Sequence, residues 1–391
     1  MMPGLSEIEE ARRNIAPYIH KTPLVYSNSF SRLSGAQVWL KCENLQKTGS
    51  FKARGSFNKI IKSGAKKVVA ASMGNHAQGL AFASAALGIK ARIVMPETVS
   101  IVKEAATRSY GAEVVLHGES LSEALDYALS QRGYTFVHPF DDGDVIAGQG
   151  TIGLEIAEEL KDADAVVVPV GGGGLISGVA MALKSKIPGI EIHGVQCEGA
   201  RSAFISFKKK TPREFKAYSN LADGISVSRV GEKTLPLINE YVDAMHVVGD
   251  EEIAKAILLH MERKKLIVEG AGAVPLAFLL DSPGRFRGKK VVLVASGGNI
   301  DFSLIDKIVR RGLVAEGRVG TFSLVIDDVP GSLNKVTSII AGKRGNILTI
   351  GHERLAEGLP LGKTKVHFVV ETRSREHLAE ILGDLKKEGI G

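Results

Sequence analysis

From about Lys66 onward, short runs rich in Val, Ile and Ala alternate with segments whose apolar residues recur three and four apart. Such alternation restricts a chain to parallel sheets joined by crossover helices. Two groups of strands follow from it. VVAAS, ARIVM, AEVVL and YTFVH form one, and AVVVPV, EIHGVQ, AMHVVG and KKVVLVAS the other, with helices such as HAQGLAFASAALG and GQGTIGLEIAEEL between them. The expected fold class is α/β, with two adjoining parallel-type open sheets. The rhythm changes in RRGLVAEGRVG, a glycine-punctuated bridge ending at Gly320. This places one domain at residues 1–315, with a smaller subdomain at about 50–145 inserted in it, a linker at 316–320 and a second domain at 321–391. The last segment reads strand, helix, strand, strand, helix. That order is a ferredoxin-like α+β unit lacking its last strand, so its sheet is expected either to keep an open edge or to be completed by another chain.

A chain of 391 residues is long for one core, in keeping with more than one domain. No uninterrupted apolar run approaches the roughly 20 residues that span a bilayer. The start, MMPGLSEIEEARRNIAPY, lacks the apolar stretch of a secretory signal, so the expected setting is cytoplasmic, without membrane association. The net charge of +7 raises the question of nucleic acid. Bases are dispersed among acids, however, and the densest runs, Lys208 to Lys210 and Lys264 to Lys265, are short and carry no interleaved aromatics, so no nucleic-acid partner is expected. Cys42 and Cys197 lie far apart with no CxxC pattern, which suggests neither a disulfide framework nor a thiolate metal site.

Reactive chemistry concentrates in four short segments. Lys52 stands in KTGSFKARGSFNKI between Phe51 and Ala53, with Phe57, Ile60 and Ile61 continuing an apolar face at helical spacing. The spacing predicts a helix with Ser50 at its N-cap and Lys52 in the first turn, where the helix dipole and the phenylalanine both disfavour an ammonium. An amine placed so suits a nucleophile or base; an ordinary exposed lysine beside an N-cap fits the same letters. Gly171, Gly172, Gly173, Gly174 and Leu175 follow the buried-looking strand AVVVPV and precede a helix. Four glycines let the backbone curl and turn several amides outward beside a helix N-terminus, which suits a phosphate, with a flexible packing turn as the alternative. The run matches neither the dinucleotide fingerprint nor a P-loop. SMGNHAQG also joins strand to helix and offers Ser72, Gly74, Asn75 and His76 to a carboxylate or a phenolic oxygen, although a capping turn with a structural histidine reads the same. SGGN ends the last strand of the second group, where Ser296 can donate to a ring nitrogen without carrying charge.

An amine, a phosphate cup, an anion-binding loop and a strand-end serine together suit pyridoxal 5'-phosphate. The motifs TGSFKARG, SMGNHAQGLA, GGGGLISG, VEGAGA and SGGN, in this order over about residues 5–315, resemble those of the fold type II pyridoxal phosphate enzymes, whose fold is tryptophan synthase β-like, and most closely the threonine ammonia-lyases, or threonine dehydratases. The C-terminal segment resembles an ACT domain, a regulatory amino-acid-binding module, with DVPGSL as its turn. The resemblance implies that Lys52 carries the cofactor covalently and acts as the base at Cα, that Phe51 packs by the ring and that Asn75 bonds the phenolic oxygen. It places Ser72, Gly74, Asn75 and His76 around the substrate carboxylate, the amides of Gly171 to Leu175 on the phosphate, Ser296 at the pyridine nitrogen and Glu269 close to the ring. The implied reaction is deaminating elimination of L-threonine to 2-oxobutanoate and ammonia, with L-serine giving pyruvate. A neutral serine hydroxyl leaves the pyridine nitrogen unprotonated, and the weaker electron sink favours expelling a β-leaving group over holding a long-lived carbanion.

Serine racemases share this frame and place a serine immediately before GNH, where this chain has Met73, which cannot exchange a proton. The racemase acids that bind a divalent cation correspond to Gln196 and Ser202, so no metal is expected. A reading from another class is an amino-acid sensor acting through the ACT unit without chemistry. The ACT resemblance implies an amino-acid effector near Gly331 and Asn346, isoleucine foremost, in a homodimer or homotetramer.

Overall fold

In the computed structural model, which describes residues 2–218, 221–355 and 357–390, the two expected groups of strands form two separate sheets. Two strands precede them, β1 (Leu24–Tyr26) and β2 (Gln37–Cys42). The first group is β3 (Lys67–Ala71), β4 (Lys90–Met95), β5 (Glu113–Leu116) and β6 (Thr135–Phe136). The second is β7 (Ala165–Pro169), β8 (Glu191–Cys197), β9 (Ala244–Val248) and β10 (Lys290–Ala295). The smaller sheet runs β5-β4-β3-β6, all parallel, and the larger β1-β2-β10-β7-β8-β9, parallel except for β1 on β2. β1 and β2 were not expected from the alternation. β2 hides its pattern because Lys41 is fully buried in it, its ammonium 2.6 Å from Glu155 Oε2.

The reason for the parallel arrangement is visible in β7, where every residue is buried, as a strand covered by helices on both faces requires. Each of Val166, Val167 and Val168 is removed from solvent entirely, worth about 1.5–3 kcal/mol apiece. The helix Lys52–Ser63 is pressed against the helix Gly143–Glu159 so closely that a Cβ on Gly148 would stand 2.6 Å from the Cα of Gly55. No larger residue at Gly148 leaves the Lys52 helix where it is.

Each sheet reverses its winding once. In the smaller, the chain moves outward from β3 through β4 to β5, then returns to the far side of β3 as β6; in the larger, it moves from β7 to β9 and returns beside β7 as β10. Crevices at such reversals, beyond the carboxyl ends of the strands, are where open α/β sheets hold ligands. The four loops leaving β3, β6, β7 and β10 are therefore placed to carry a site.

The chain divides into two compact units, Met1–Ile300 and Asp301–Gly391. The sequence reading set the boundary later: the helix Phe302–Ala315 belongs to the second unit, and β11 (Val319–Asp327) opens inside the expected linker 316–320. The helix is tied to the rest of that unit by Arg318 N on Leu313 O at 2.8 Å and by Arg375 Nη2 on Ala315 O at 2.6 Å. Met1 and Gly391, the outer limits of the expected domains, lie outside the described residues. The second unit has the expected strand, helix, strand, strand, helix order, with β12 (Asn346–Glu353) and β13 (Lys363–Glu371) forming an antiparallel sheet β11-β13-β12. Its helices Ser332–Gly342 and Arg375–Lys387 bury Val336, Ile340, Ile381 and Leu385 against Leu324, Val366, Phe368 and Val370.

Candidate active site

The segment before the Lys52 helix is zipped antiparallel to the loop after β10. Phe51 N donates to Ser296 O at 3.1 Å, Ser50 pairs with Gly297, Gly298 N donates to Gly49 O at 2.9 Å, and Asn299 Nδ2 donates to Thr48 O at 2.7 Å. Ser50 is consequently extended, at φ −161° and ψ 161°, and the helix starts at Lys52 with Phe51 in the capping position. The expected Ser50 N-cap is thus not formed. The Ser50 hydroxyl is buried and makes no hydrogen bond within the protein. Lys52 keeps the first-turn position that the sequence assigned to it.

The Lys52 side chain is half-buried, its Nζ donating to the carbonyl of Pro139 at 2.8 Å and lying 5.1 Å from the centre of the Phe51 ring. Burial pushes its pKa down to about 8, against the opposing pull of the Glu269 carboxylate. Glu269 is 4% exposed, and its burial raises its own pKa to about 7. Asn75 Nδ2 moderates that rise by donating to both carboxylate oxygens, at 2.8 and 3.0 Å. Glu269 N also donates to Gly297 O at 3.0 Å, which fastens this carboxylate to the loop after β10.

The glycine run leaves β7 and enters the helix Gly174–Lys186. Gly173 sits at φ +98°, a backbone region that only glycine occupies without strain, and this turn lets the first amides of the helix point outward. At Gly172 the constraint is space: a Cβ would run into the ring of Phe140, and one on Gly174 would stand 2.8 Å from the Phe140 carbonyl oxygen. Thr234 Oγ1 fixes the turn from behind by donating to Gly172 O at 2.7 Å. Because Pro139 accepts from Lys52 and Phe140 packs on Gly172 and Gly174, the loop after β6 joins the amine to the glycine bend.

The loop after β3 ends at Gly74, which caps the helix Asn75–Ala86. Gly74 N donates to Ser72 Oγ at 3.4 Å, and the first amides of the helix have no carbonyl of their own helix to bond. His76 Nε2 lies 2.9 Å from Val137 O, and burial drives its pKa down to about 3, so the imidazole is neutral and spent on the backbone of the next loop. What His76 offers to an anion is its amide. Ser296 is buried at 2% exposure, one residue beyond β10. The structure thus gathers Phe51, Lys52, Ser72, Gly74, Asn75, His76, Gly171 to Leu175, Glu269 and Ser296 around the two winding reversals.

Sequence reasoning missed four contributors. Pro139 and Phe140 lie in HPFDD, whose place between a strand and a helix was the available signal. Asn299 stands within SGGN, where the letters alone give it no role, although its Nδ2 donates to Asn75 Oδ1 at 2.8 Å. Arg54, fully buried two residues beyond Lys52, bonds Glu43 and Glu155. Gln196 accepts from Phe204 N at 2.8 Å and Ser202 donates to Val227 O at 2.8 Å, both engaged in local packing. Among the described residues no three His, Cys, Asp or Glu side chains are disposed to hold a metal, and no helix is long and apolar enough to cross a membrane.

Pyridoxal phosphate fits these residues: an amine with a depressed pKa faces a backbone cradle that a Cβ would fill, and amide donors line a second loop beside it. The comparisons agree. A family model for pyridoxal-phosphate dependent enzymes matches residues 15–297. The chain is 46% identical over 384 residues to the L-threonine ammonia-lyase of Thermotoga maritima, covering 96% of each protein. It superposes on the crystal structure of a T.th. threonine deaminase with a TM-score of 0.73 at 42% identity, over 77% of this chain and 99% of that one. On serine racemase from Dictyostelium discoideum the TM-score is 0.72 at 38% identity, over 76% of this chain and 99% of that one. A family match over residues 15–297, near-full-length identity and a shared fold leave one placement: the chain belongs to the pyridoxal-phosphate dependent enzymes.

Proposed function

We propose that this protein is a threonine ammonia-lyase, converting L-threonine to 2-oxobutanoate and ammonia and L-serine to pyruvate. The observation that carries the reading is the Lys52 amine, lowered to about 8 and joined through Pro139 and Phe140 to the glycine bend. Near-full-length identity to an L-threonine ammonia-lyase supports the choice of substrate. When bound, pyridoxal phosphate supplies the electron sink that takes up the pair left at Cα. The amides of Gly171 to Leu175 would receive its phosphate, Ser296 would serve the ring nitrogen as a neutral donor, Phe51 would pack by the ring and Asn75 would donate to the phenolic oxygen. The amide groups of Gly74, Asn75 and His76, with the Ser72 hydroxyl, receive the substrate carboxylate at the helix start. Lys52, neutral in a useful fraction near pH 7.5, takes the Cα proton. The Cα proton and the β-hydroxyl leave together as one water, and the enamine so formed tautomerises to an imine that takes up one water to give the 2-oxoacid and ammonia.

Met73 favours elimination over racemisation, because a thioether has no proton to return to the opposite face. The second unit is proposed to be an ACT domain that binds an amino acid, isoleucine foremost, near Gly331 and Asn346. Gly331 stands at φ +92° immediately before the helix Ser332–Gly342, and the outer edge of β12 pairs with no strand among the described residues. That edge supports a homodimer or homotetramer. One assay tests the whole: 2-oxoacid formation from L-threonine, L-serine and D-serine, with and without isoleucine, in the parent and in Lys52→Ala. Turnover of L-threonine that collapses in Lys52→Ala supports the lyase; persistent ammonia release from the variant refutes the role of the lysine, and a protein that gains no absorbance near about 410 nm with added cofactor leaves only a sensor.

A further inference from the structure

Asn75 can present either its NH2 or its carbonyl oxygen to the site, and only one orientation donates. Glu269 does not decide between them. An ionised carboxylate accepts from Nδ2, whereas a protonated one can donate to Oδ1, and this carboxyl titrates at about 7. The decision must come from the other side of the amide. There Asn299 Nδ2 reaches two oxygens, Thr48 O at 2.7 Å and Asn75 Oδ1 at 2.8 Å. A backbone carbonyl only accepts, so the Thr48 contact requires the NH2 of Asn299 at that end. The second hydrogen of the same NH2 then requires Oδ1 of Asn75, which leaves Nδ2 of Asn75 turned inward.

Thr48 itself is held in an uncommon state. It has φ +64° and ψ 13°, a left-handed conformation that is an outlier for a β-branched residue, and its hydroxyl is buried without a hydrogen-bond partner. What the conformation secures is the carbonyl aimed at Asn299, with Gly49 O on Gly298 N and Ser50 on Gly297 closing the zip behind it. The Asn299 side chain packs so closely on Gly49 that a Cβ there would collide with it, so the absence of a side chain at Gly49 is what admits the amide to this position.

We propose that Asn299, anchored on the strained carbonyl of Thr48, is a positioning residue that fixes the Asn75 amide with its NH2 facing the cofactor site. The inference rests on the reading of Asn75 as a donor to the cofactor. Asn299→Asp is nearly isosteric and exchanges the NH2 for a carboxylate oxygen. It repels Thr48 O and draws the Asn75 NH2 toward itself, turning the Asn75 carbonyl oxygen into the site.

The test measures pyridoxal phosphate affinity by equilibrium dialysis, and the pH midpoint of the visible absorbance band of the holoenzyme, in Asn75→Ala, Asn299→Asp, Asn299→Ala and the double variant Asn75→Ala/Asn299→Asp. Asn299→Asp is expected to weaken binding by roughly tenfold, the size of one charge-assisted hydrogen bond, and to move the band midpoint in the direction of Asn75→Ala. Asn299→Ala removes the donor without adding charge and is expected to show a smaller change of the same sign. The double variant is expected to match Asn75→Ala alone, because a residue acting through another contributes nothing once that other is gone. Additive losses in the double variant overturn the inference, as does a clear effect of Asn75→Ala with none from either Asn299 variant. An unchanged affinity in Asn75→Ala instead overturns the reading of Asn75 and the inference with it.

Discussion

Lys52 Nζ and the carbonyl oxygen of Pro139 are 2.8 Å apart, and that carbonyl is the one hydrogen-bond acceptor of the amine among the described residues. A single neutral acceptor compensates poorly for the hydration the ammonium loses in this crevice, which is why the pKa falls from 10.5 to about 8. At pH 7 the neutral fraction is then roughly 300-fold that of an ordinary lysine. The rate at which cofactor-free protein takes up pyridoxal phosphate, followed by absorbance, is expected to climb with pH through about 8 and level off above it. A rate still climbing near pH 10 contradicts the assignment. Glu269→Gln removes the charge that raises the lysine, so its midpoint is expected to fall below that of the parent.

Glu269 makes the opposite kind of statement about stability. Its folded pKa of about 7 stands above the ordinary 4.5, so between these values the folded cofactor-free protein holds a proton that the unfolded chain has released. The linkage contribution is therefore fully favourable below pH 4.5 and is lost as pH rises through about 7, a change on the order of 3 kcal/mol. Urea midpoints of cofactor-free protein are expected to decline across that window, and Glu269→Gln to flatten the decline. An equal slope in parent and variant removes Glu269 as its source.

The parts of this architecture that were legible are those with a local signature. β7 announced itself as an unbroken apolar run, the glycine bend as four consecutive glycines, and the second unit as a change of rhythm. β2 was hidden because Lys41 interrupts its pattern, and the burial of that lysine depends on Glu155, 114 residues away. Ser50 looked like an N-cap by composition; the pairing with Gly297 that draws it into an extended conformation is a contact across most of the chain. Pro139 and Asn299 escaped for the same reason. Their roles follow from which strand ends lie beside one another, and the order of strands, with β6 beside β3 and β10 beside β7, is not written in any window of sequence.

Gly172→Ala tests whether the bend and the amine share one site. The added methyl group meets the Phe140 ring, and relieving that overlap moves Phe140 and the adjoining Pro139, the acceptor of Lys52. Overpacking of this kind costs about 1–3 kcal/mol of stability, and the displaced bend and Phe140 are expected to weaken pyridoxal phosphate binding by roughly tenfold in equilibrium dialysis. Should the variant bind the cofactor as tightly as the parent, the bend is a packing turn and the phosphate lies elsewhere.

Beneath the Lys52 helix lies a buried cluster of two cations and two anions. Arg54 donates to Glu43 through Nε and Nη2 at 2.8 Å each and to Glu155 through Nη1 at 2.6 Å, while Lys41 Nζ reaches Glu155 at 2.6 Å and Thr22 O at 2.7 Å. Burial pushes the Glu155 carboxyl up, but Arg54 and Lys41 outweigh it, and its pKa ends below 4.5. The charge of Glu155 is thus expected to stabilise the fold above pH 4.5 and to be lost as pH falls through the lower folded value. Glu155→Gln keeps the shape and leaves two buried cations facing one carboxylate, a defect of about 3–5 kcal/mol. Urea unfolding of the variant is expected to show a loss of that size at pH 7 and a smaller one in acid, where the parent also surrenders the charge. Cofactor uptake is expected to slow as well, because Arg54 is two residues from Lys52 on the same helix. A variant as stable as the parent at pH 7 denies the cluster any part in holding that helix.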